Sequence, residues 1–425
     1  MIKRDAYLNR FVSCMGNDSV KVITGIRRCG KSYLMNTIFY DYLLSSGVEA
    51  SHIIRFAFDS ASDLEKIGED LIEIQIHGKK VDYHKFMNYI KESISAEGQY
   101  YLLLDEIQLL DAFEFVLNGY LAMGNMDIYV TGSNSKFLSS DVITEFRGRG
   151  DEIHILPLAF SEYYGYLGGD MERRLEEYMT FGGLPRCVLA KNEEEKMAYL
   201  AAQLEKTYLK DVIDRNKIKN TEALSELFDI LASGISAPTN PSKLEKRFQS
   251  EKKISLSADS IGKYIGCLKE AFILDRAVRY DVRGKAYIGT PYKLYFEDLG
   301  LPNAKLNFRQ VEFTHLMENV IYNELRFRGY RVDTGMVEIR EGSSRKQLEV
   351  DFVANKGSRR YYIQSVYDIH DEEKFVQETR SLDNIADSFK KIIVIDRPIV
   401  ARYTDKGYLM LSLSEFLLNQ DSLDM

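Results

Sequence analysis

The stretch Gly25-Ile26-Arg27-Arg28-Cys29-Gly30-Lys31-Ser32 decides how the rest of this chain is interpreted. It has the spacing G-x-x-x-x-G-K-[ST], which is the pattern of a phosphate-binding loop, or P-loop. Residues 19–24 predict a strand before the loop, and apolar residues at helical spacing predict a helix over residues 32–44. A loop in that place directs backbone N–H groups and the helix dipole at an anion. The alternative is a chance match in a glycine-containing loop.

The residue types in the P-loop are those that phosphate and Mg²⁺ binding require. Gly25 and Gly30 permit backbone angles that are closed to other residues. Lys31 is expected to reach the β- and γ-phosphates of ATP, and Ser32 to be a ligand of Mg²⁺. The other members of the predicted nucleotide-binding set are Ile26, Arg27, Arg28 and Cys29.

Length and composition describe a chain of several domains. Its 425 residues exceed what one hydrophobic core usually supports. The 45% hydrophobic and 28% charged residues are typical of a soluble globular protein, and no apolar run approaches the ~18 residues of a membrane span. The N-terminus lacks a signal-peptide pattern and the four cysteines lack metal-ligand spacing, so we expect a cytoplasmic protein that does not bind membranes. With a net charge of −8, nucleic-acid binding requires a local basic patch.

A second motif follows the P-loop in the pattern called Walker B. Residues 100–104 are five apolar residues, and Asp105 and Glu106 follow them. The run predicts a strand buried on both faces that ends in two carboxylates. Asp105 would hold Mg²⁺, and Glu106 would orient and polarise the attacking water. An ordinary buried strand that ends in two acids is the alternative, and the upstream P-loop disfavours it.

These motifs together resemble those of AAA+-type ATPases of bacteria and archaea that carry an uncharacterised C-terminal region. The matching stretches are residues 25–32, 102–108, 131–134, 156–163 and 182–185. The resemblance implies an α/β P-loop core over residues 1–160 and a helical lid over residues 161–215. It also implies ATP and Mg²⁺ as cofactors, and it leaves assembly into a homo-oligomer open.

The same resemblance implies further catalytic residues after the next predicted strand, residues 127–131. Asn134 or Ser133 would be the sensor residue that faces the γ-phosphate between the P-loop and Walker B strands. Arg147 or Arg149 would be the arginine finger, a cation directed at developing phosphoryl charge on a neighbouring subunit's nucleotide. An ordinary polar turn and a solvated surface arginine remain open as alternatives.

Gly183-Leu184-Pro185 lies within the predicted lid. It is similar to the GxP motif with which related ATPases contact the adenine side of the nucleotide. The resemblance therefore adds Gly183 and Pro185 to the predicted nucleotide-binding set. A simple helix break at Gly-Gly-x-Pro is the alternative.

Residues 216–310 predict three short helices and a hairpin, the order of a winged helix-turn-helix. The third helix, expected at residues 257–271, would present Lys263 and Lys269 to a DNA duplex. Residues 243–253 carry five basic and two acidic residues, a net charge of +3. Since winged helices also bind proteins, both kinds of partner stay open.

Residues 311–425 predict an order of helix and strands similar to the PD-(D/E)XK nuclease fold, which is the restriction-endonuclease-like α/β fold. Glu318 would be the helix acid and Asp351 the first strand acid. Gln364 stands where the second strand acid belongs, and Val366 where the lysine belongs. Because valine neither positions water nor stabilises a transition state, we expect a degenerate site on a fold that serves as a binding platform.

The sequence thus predicts a cytoplasmic AAA+-type ATPase. It would couple the binding and hydrolysis of Mg²⁺-ATP to a conformational change in a C-terminal platform that binds DNA or protein. Two alternatives remain, a nucleotide-gated DNA-binding regulator with little turnover and an ATP-dependent nuclease.

Overall fold

The computed structural model describes residues 2–94, 97–132, 150–252, 255–309, 312–342, 344–367 and 372–425. These residues form two compact units. The first unit comprises Ile2–Ile155 with Glu270–Phe272, and the second comprises Leu156–Lys269 with Ile273–Met425. The finer division of the chain at residues 160, 215 and 310 stays a prediction.

A five-stranded parallel sheet forms the centre of the first unit, in the order β2-β3-β4-β1-β5. The strands are β1 (Val20–Thr24), β2 (Ile53–Ala57), β3 (Tyr100–Asp105), β4 (Met126–Thr131) and β5 (Gly150–His154). β1, β3 and β4 are buried along their whole length, as parallel strands covered on both faces usually are. β4 lies between β1 and β3, so the end of β4 separates the P-loop from the Walker B acids, as predicted.

Helices connect these strands. The helix that follows the P-loop is continuous from Lys31–Tyr33 through the π-helical Leu34–Phe39 to Tyr40–Ser45. The other α-helices described in this unit are Asp5–Ser13, Ala61–Lys66, Leu71–Gln75, Tyr83–Ser93 and Phe113–Leu121. Short 3₁₀ turns are formed by Ala50–His52 and Ile107–Leu109. Apolar side chains from these elements and from the sheet form one core, which includes Phe56, Leu104 and Ile128.

A nine-stranded mixed sheet forms the centre of the second unit, in the order β13-β14-β12-β11-β10-β9-β7-β8-β6. The strands are β6 (Pro238–Thr239), β7 (Leu274–Asp281), β8 (Ala286–Phe296), β9 (Arg331–Glu341), β10 (Ser344–Lys356), β11 (Arg359–Val366), β12 (Lys390–Ile395), β13 (Arg402–Tyr403) and β14 (Leu409–Ser412). β7 and β8 form the predicted antiparallel hairpin. β7 also pairs in parallel with β9, so the hairpin and the C-terminal strands share one sheet.

The helices of the second unit begin with a largely helical stretch between residues 160 and 216. Its members are Phe160–Leu167, Met171–Phe181, Pro185–Val188, Glu193–Gln203, the π-helical Leu204–Leu209 and Lys210–Asn216. The later ones are Thr221–Ser233, Pro241–Arg247, the π-helical Phe248–Lys252, Ala258–Glu270, Gly300–Lys305, Phe313–Phe327, Glu372–Asp383 and Leu413–Leu418. None of the helices in the described parts of the chain has both the length and the apolar character needed to cross a membrane.

One predicted helix is misplaced. The sequence predicts a helix over residues 381–390, whereas the structure has the helix Glu372–Asp383 followed by an irregular turn. The Asn384 side chain donates to the carbonyl oxygen of Arg380, and the Asp387 carboxylate accepts the N–H of Phe389. Such local bonds compete with the helical pattern, so the chain turns there before β12 begins.

Candidate nucleotide-binding and active site

The P-loop leaves β1 at Thr24 and enters its helix at Lys31. Gly25, Arg28 and Gly30 all have positive φ angles, of 137°, 66° and 104°. A Cβ atom at position 25 would lie 2.1 Å from the carbonyl oxygen of Ile155, so only glycine fits there. The loop therefore keeps a tightly turned backbone at the N-terminus of a helix, where anions are favoured.

Lys31 is the cation of this loop. Its side chain is only 5% exposed, and its Nζ donates to the carbonyl oxygens of Gly25 at 2.9 Å and Ile26 at 3.1 Å. The ammonium group is thus held against the inner side of the loop by the loop's own backbone. Within the rest of the predicted set, Ile26 and Cys29 are buried and the side chains of Arg27, Arg28 and Ser32 are exposed.

Asp105 ends β3 and is 6% exposed. Its Oδ1 accepts a hydrogen bond from the hydroxyl of Thr131, the last residue of β4. The same Thr131 oxygen accepts the backbone N–H of Glu106 at 3.1 Å. The Asn36 side chain from the P-loop helix lies 3.5 Å from the other carboxylate oxygen of Asp105. Thr131 therefore fixes both Walker B residues.

Glu106 turns the chain directly after β3, with a φ angle of 52°. Its carboxylate accepts a hydrogen bond from the side chain of Gln108. Burial raises the pKa of Glu106, while the bond from Gln108 and the charge of Lys31 lower it. Nearby Asp105 and Asp59 raise it further. A carboxylate with a raised pKa beside a cation is suited to accept a proton from water.

Sequence reasoning missed several residues that the structure brings to this edge of the sheet. Asp59 follows β2, where burial and the charge of Asp105 raise its pKa. Arg4, which is 4% exposed, donates to the carbonyl oxygen of Cys29 in the P-loop at 3.3 Å. Asp59 and Thr131 could have been recognised in the sequence, because Asp59 follows the largely apolar residues 53–58 and Thr131 ends the predicted strand 127–131. Nothing in the sequence pattern indicated a role for Asn36 or Arg4.

Three predicted catalytic residues, Asn134, Arg147 and Arg149, lie outside the described residues, as does Ser133. Gly183 and Pro185 lie in the second unit. Their contact with nucleotide stays a prediction.

The Gly183 turn has a packing role within its own unit. The backbone N–H groups of Gly183 and Leu184 donate to the buried Asp298 carboxylate at 2.8 and 3.1 Å. A Cβ atom at position 183 would lie 2.3 Å from the carbonyl oxygen of Leu158. Pro185 then begins a short helix. These contacts account for the glycine and the proline as parts of a packed turn.

The first unit contains the groups that are needed to bind a nucleotide together with Mg²⁺. The missing side chain at Gly25 lets the loop turn tightly against the carbonyl oxygen of Ile155. Lys31 supplies a positive charge at the loop. The Ser32 hydroxyl and the Asp105 carboxylate are oxygen ligands of the kind that Mg²⁺ prefers. These residues therefore fit the predicted cofactors.

A second group of ionisable side chains lies in the C-terminal part of the other unit. Lys293 of β8 is 4% exposed, and its Nζ lies 2.8 Å from Glu318 and 2.6 Å from Glu349. The Tyr295 hydroxyl also donates to Glu318, at 2.6 Å. Asp351 accepts the N–H and the hydroxyl of Ser365 at 2.8 and 2.6 Å. The predicted pair Glu318 and Asp351 is thus accompanied by a lysine from β8.

The charges in this group are coupled. Burial raises the pKa of Glu318 to about 7, against the lowering effect of Lys293. Burial also raises the pKa of Asp351. Val366 is fully buried, and the Gln364 side chain accepts from the hydroxyl of Ser381 at 3.3 Å. Across the described residues, no set of three or more His, Cys, Asp or Glu side chains is placed to hold a metal ion.

Two protein-family models match successive parts of the chain. Residues 17–164 match the AAA domain family, and residues 172–312 match a domain of unknown function. An uncharacterized protein of Haemophilus influenzae is 32% identical over 400 residues, which cover 93% of each chain. The chain belongs to the family of that protein. The AAA match confirms the prediction of an α/β protein with an AAA+ P-loop ATPase core.

Two further matches are more distant. An uncharacterized protein of Methanocaldococcus jannaschii is 25% identical over 414 residues, or 94% of this chain and 85% of the other. The structure of the Aeropyrum pernix ORC1 protein in complex with DNA has 14% sequence identity and a TM-score of 0.29. That match covers 72% of this chain and 93% of the other.

Proposed function

We propose that this chain binds ATP with Mg²⁺ at the P-loop and hydrolyses it. The observation that carries the proposal is the convergence of three elements at one edge of the parallel sheet. The P-loop follows β1, Asp105 ends β3 with Glu106 directly after it, and Thr131 ends β4 between them. Ligands of open α/β sheets bind outside the carboxyl ends of the strands, which is where these groups lie.

In this proposal each residue has one task. Lys31 contacts the β- and γ-phosphates, and Ser32 and Asp105 hold Mg²⁺, which when bound neutralises phosphate charge. Glu106 positions the attacking water and accepts its proton. Thr131 keeps Asp105 and Glu106 in place. Asn134, with Arg147 or Arg149 from a neighbouring copy, completes the proposed set.

We propose further that hydrolysis changes the conformation of a platform in the second unit that binds DNA or protein. The order of elements from Thr221–Ser233 to β8, in which β6 pairs with β8 and β8 with β7, supports a winged helix. On its third helix Lys263 is exposed, but Lys269 is half-buried, and burial and Arg276 lower its pKa. Lys263 is therefore the better candidate for a phosphate contact.

For the C-terminal strands we propose a nuclease-like fold without nuclease activity. Lys293 already supplies a positive charge between Glu318 and Glu349. A Mg²⁺ site needs carboxylate oxygens that are free to coordinate it. The ammonium group binds one oxygen of each of these two carboxylates and neutralises their charge, which supports a binding role for this part of the chain.

Steady-state ATP turnover tests the proposal. Lys31→Ala is expected to abolish nucleotide binding or nearly so, and Glu106→Gln to keep binding while turnover falls at least a hundredfold. Lys80→Ala and Glu92→Gln, at exposed positions of the same unit, are the matched controls and should behave as wild type. Wild-type nucleotide affinity in Lys31→Ala would refute the P-loop assignment.

Turnover and DNA binding measured together separate the proposal from its two alternatives. ATPase activity that DNA or a protein partner stimulates supports coupling to the platform. Nucleotide-dependent DNA binding with negligible turnover would instead indicate a gated regulator. Metal-dependent cleavage of linear and supercoiled DNA, lost in Asp351→Ala, would indicate an ATP-dependent nuclease.

A further inference from the structure

The second unit contains a cavity of about 630 Å³. Tyr367, Asp396 and Leu413 line it, and each directly follows a strand: β11, β12 and β14. β12 pairs in parallel with both β11 and β14, so the cavity lies at the carboxyl ends of three parallel strands. This is the position at which open α/β sheets bind their ligands. Its size is also that of a small-ligand pocket.

The wall of the cavity combines apolar and acidic side chains. The apolar part is formed by Met171, Leu175, Met179, Phe313 and Leu413. The acidic part is formed by Asp170, Glu172, Glu176 and Asp396, and Arg397 is the single basic residue of the lining. The lining therefore has a net charge of −3, from four carboxylates and one guanidinium.

Three of these carboxylates repel one another. Glu172 and Glu176 are four residues apart on the helix Met171–Phe181, so they lie on one face, where like charges are unfavourable. Burial and these two glutamates raise the pKa of Asp396 to about 6. Within the described residues, no side chain forms an ion pair or hydrogen bond with the carboxylate of Glu172, Glu176 or Asp396. The cavity thus holds negative charge that a cation would stabilise.

We propose that this cavity binds a linear aliphatic ammonium ligand. Methylene groups of such a ligand would pack against Leu175, Met179 and Phe313, and its ammonium groups would pair with the carboxylates at short, charge-assisted distances. A free polyamine and a lysine side chain of a peptide share this chemistry. The proposal stands independently of ATP hydrolysis, because it uses residues of the second unit only.

Calorimetric titration of the full chain tests the proposal. The titration uses ~0.15 M salt, because this concentration screens non-specific attraction between charges. One arm uses spermidine, and the other uses the blocked tripeptide acetyl-Lys-Leu-Lys-amide. Saturable binding is expected in at least one arm, with a dissociation constant below 1 mM. The arm that binds more tightly identifies the source of the ammonium group.

Two double variants locate the binding. Glu176→Gln with Asp396→Asn should weaken binding at least tenfold, and it should fold normally because it relieves repulsion. Glu193→Gln with Glu194→Gln removes the same charge from exposed positions of another helix, and it should leave affinity unchanged. No saturable binding in either arm would overturn the proposal. An equal loss in both double variants would also overturn it, because binding would then follow net charge.

Discussion

Replacing Thr131 by valine tests whether this residue fixes the Walker B acids. Valine keeps the shape of threonine but lacks the hydroxyl. In the wild type that hydroxyl donates to Asp105 and accepts the N–H of Glu106. The variant therefore removes one hydrogen bond to an ionised group and leaves one backbone N–H without its partner.

The expected loss of stability follows from these two bonds. A hydrogen bond to a charged group contributes about 1.5–3 kcal/mol, and a buried unpaired donor costs about 1–3 kcal/mol. Glu106 is only half-buried, so water replaces part of the second bond. The free energy of unfolding of the first unit should fall by about 2–3 kcal/mol, which lowers its Tm by about 5–10 °C for a unit of this size.

The assay combines thermal unfolding with the Mg²⁺ dependence of ATP turnover. Added nucleotide identifies the transition of the first unit, because it should raise that transition alone. Groups that hold a metal ligand in place usually change metal affinity about 10–100-fold when lost, so half-maximal turnover should need at least ten times more Mg²⁺. Thr131→Ser, which keeps the hydroxyl, is the control. Wild-type Tm and Mg²⁺ dependence in Thr131→Val would refute the role given to Thr131.

Three further predictions concern single side chains. Gln108→Ala should raise the pKa of Glu106, because the variant loses the hydrogen bond that favours the carboxylate. The acid limb of the pH profile of ATP turnover should therefore move to higher pH. An acid limb that does not move would contradict the pairing of Gln108 with Glu106. Lys293→Met should cost about 3–5 kcal/mol of stability at neutral pH, the usual effect of breaking a buried ion pair. Because the pKa of Glu318 is raised, that variant should become more stable as pH falls from 8 to 5, since protonation removes the unpaired charge. Chemical denaturation at several pH values measures this. A free energy of unfolding that does not change with pH would count against it. Lys263→Glu should weaken DNA binding at all sequences and reduce the salt slope by about 1 if the third helix faces DNA, whereas unchanged binding at low salt would favour a protein partner.

The nucleotide-binding core could be predicted because its signals are local. The P-loop and the Walker B run each combine a buried strand with a fixed spacing of polar residues. The structure has strands at Val20–Thr24 and Tyr100–Asp105, where the patterns placed them. The position of β4 between them also followed from the resemblance.

The contacts that complete the sites could not be predicted, because they join distant parts of the chain. Arg4 reaches the carbonyl of Cys29, and Thr131 reaches Asp105. No spacing rule relates these residues. Asp298 is a similar case. It belongs to no sequence motif, yet its carboxylate accepts the N–H of Gly183, which lies more than 100 residues earlier in the chain.

In the second unit, a lysine of the β7–β8 hairpin supplies the positive charge that the predicted nuclease-like pattern lacks at Val366. The nuclease-like pattern has valine at position 366 where a lysine belongs, which by itself indicates a site without a cation. The pairing of β7 with β9 joins the hairpin to the C-terminal strands, and the hairpin strand β8 brings Lys293 to Glu318 and Glu349. The buried carboxylate of Glu318 requires a counter-charge, and this lysine supplies it without a metal. The acid at Glu318 is therefore explained by an ion pair that joins the hairpin to the C-terminal part of the chain.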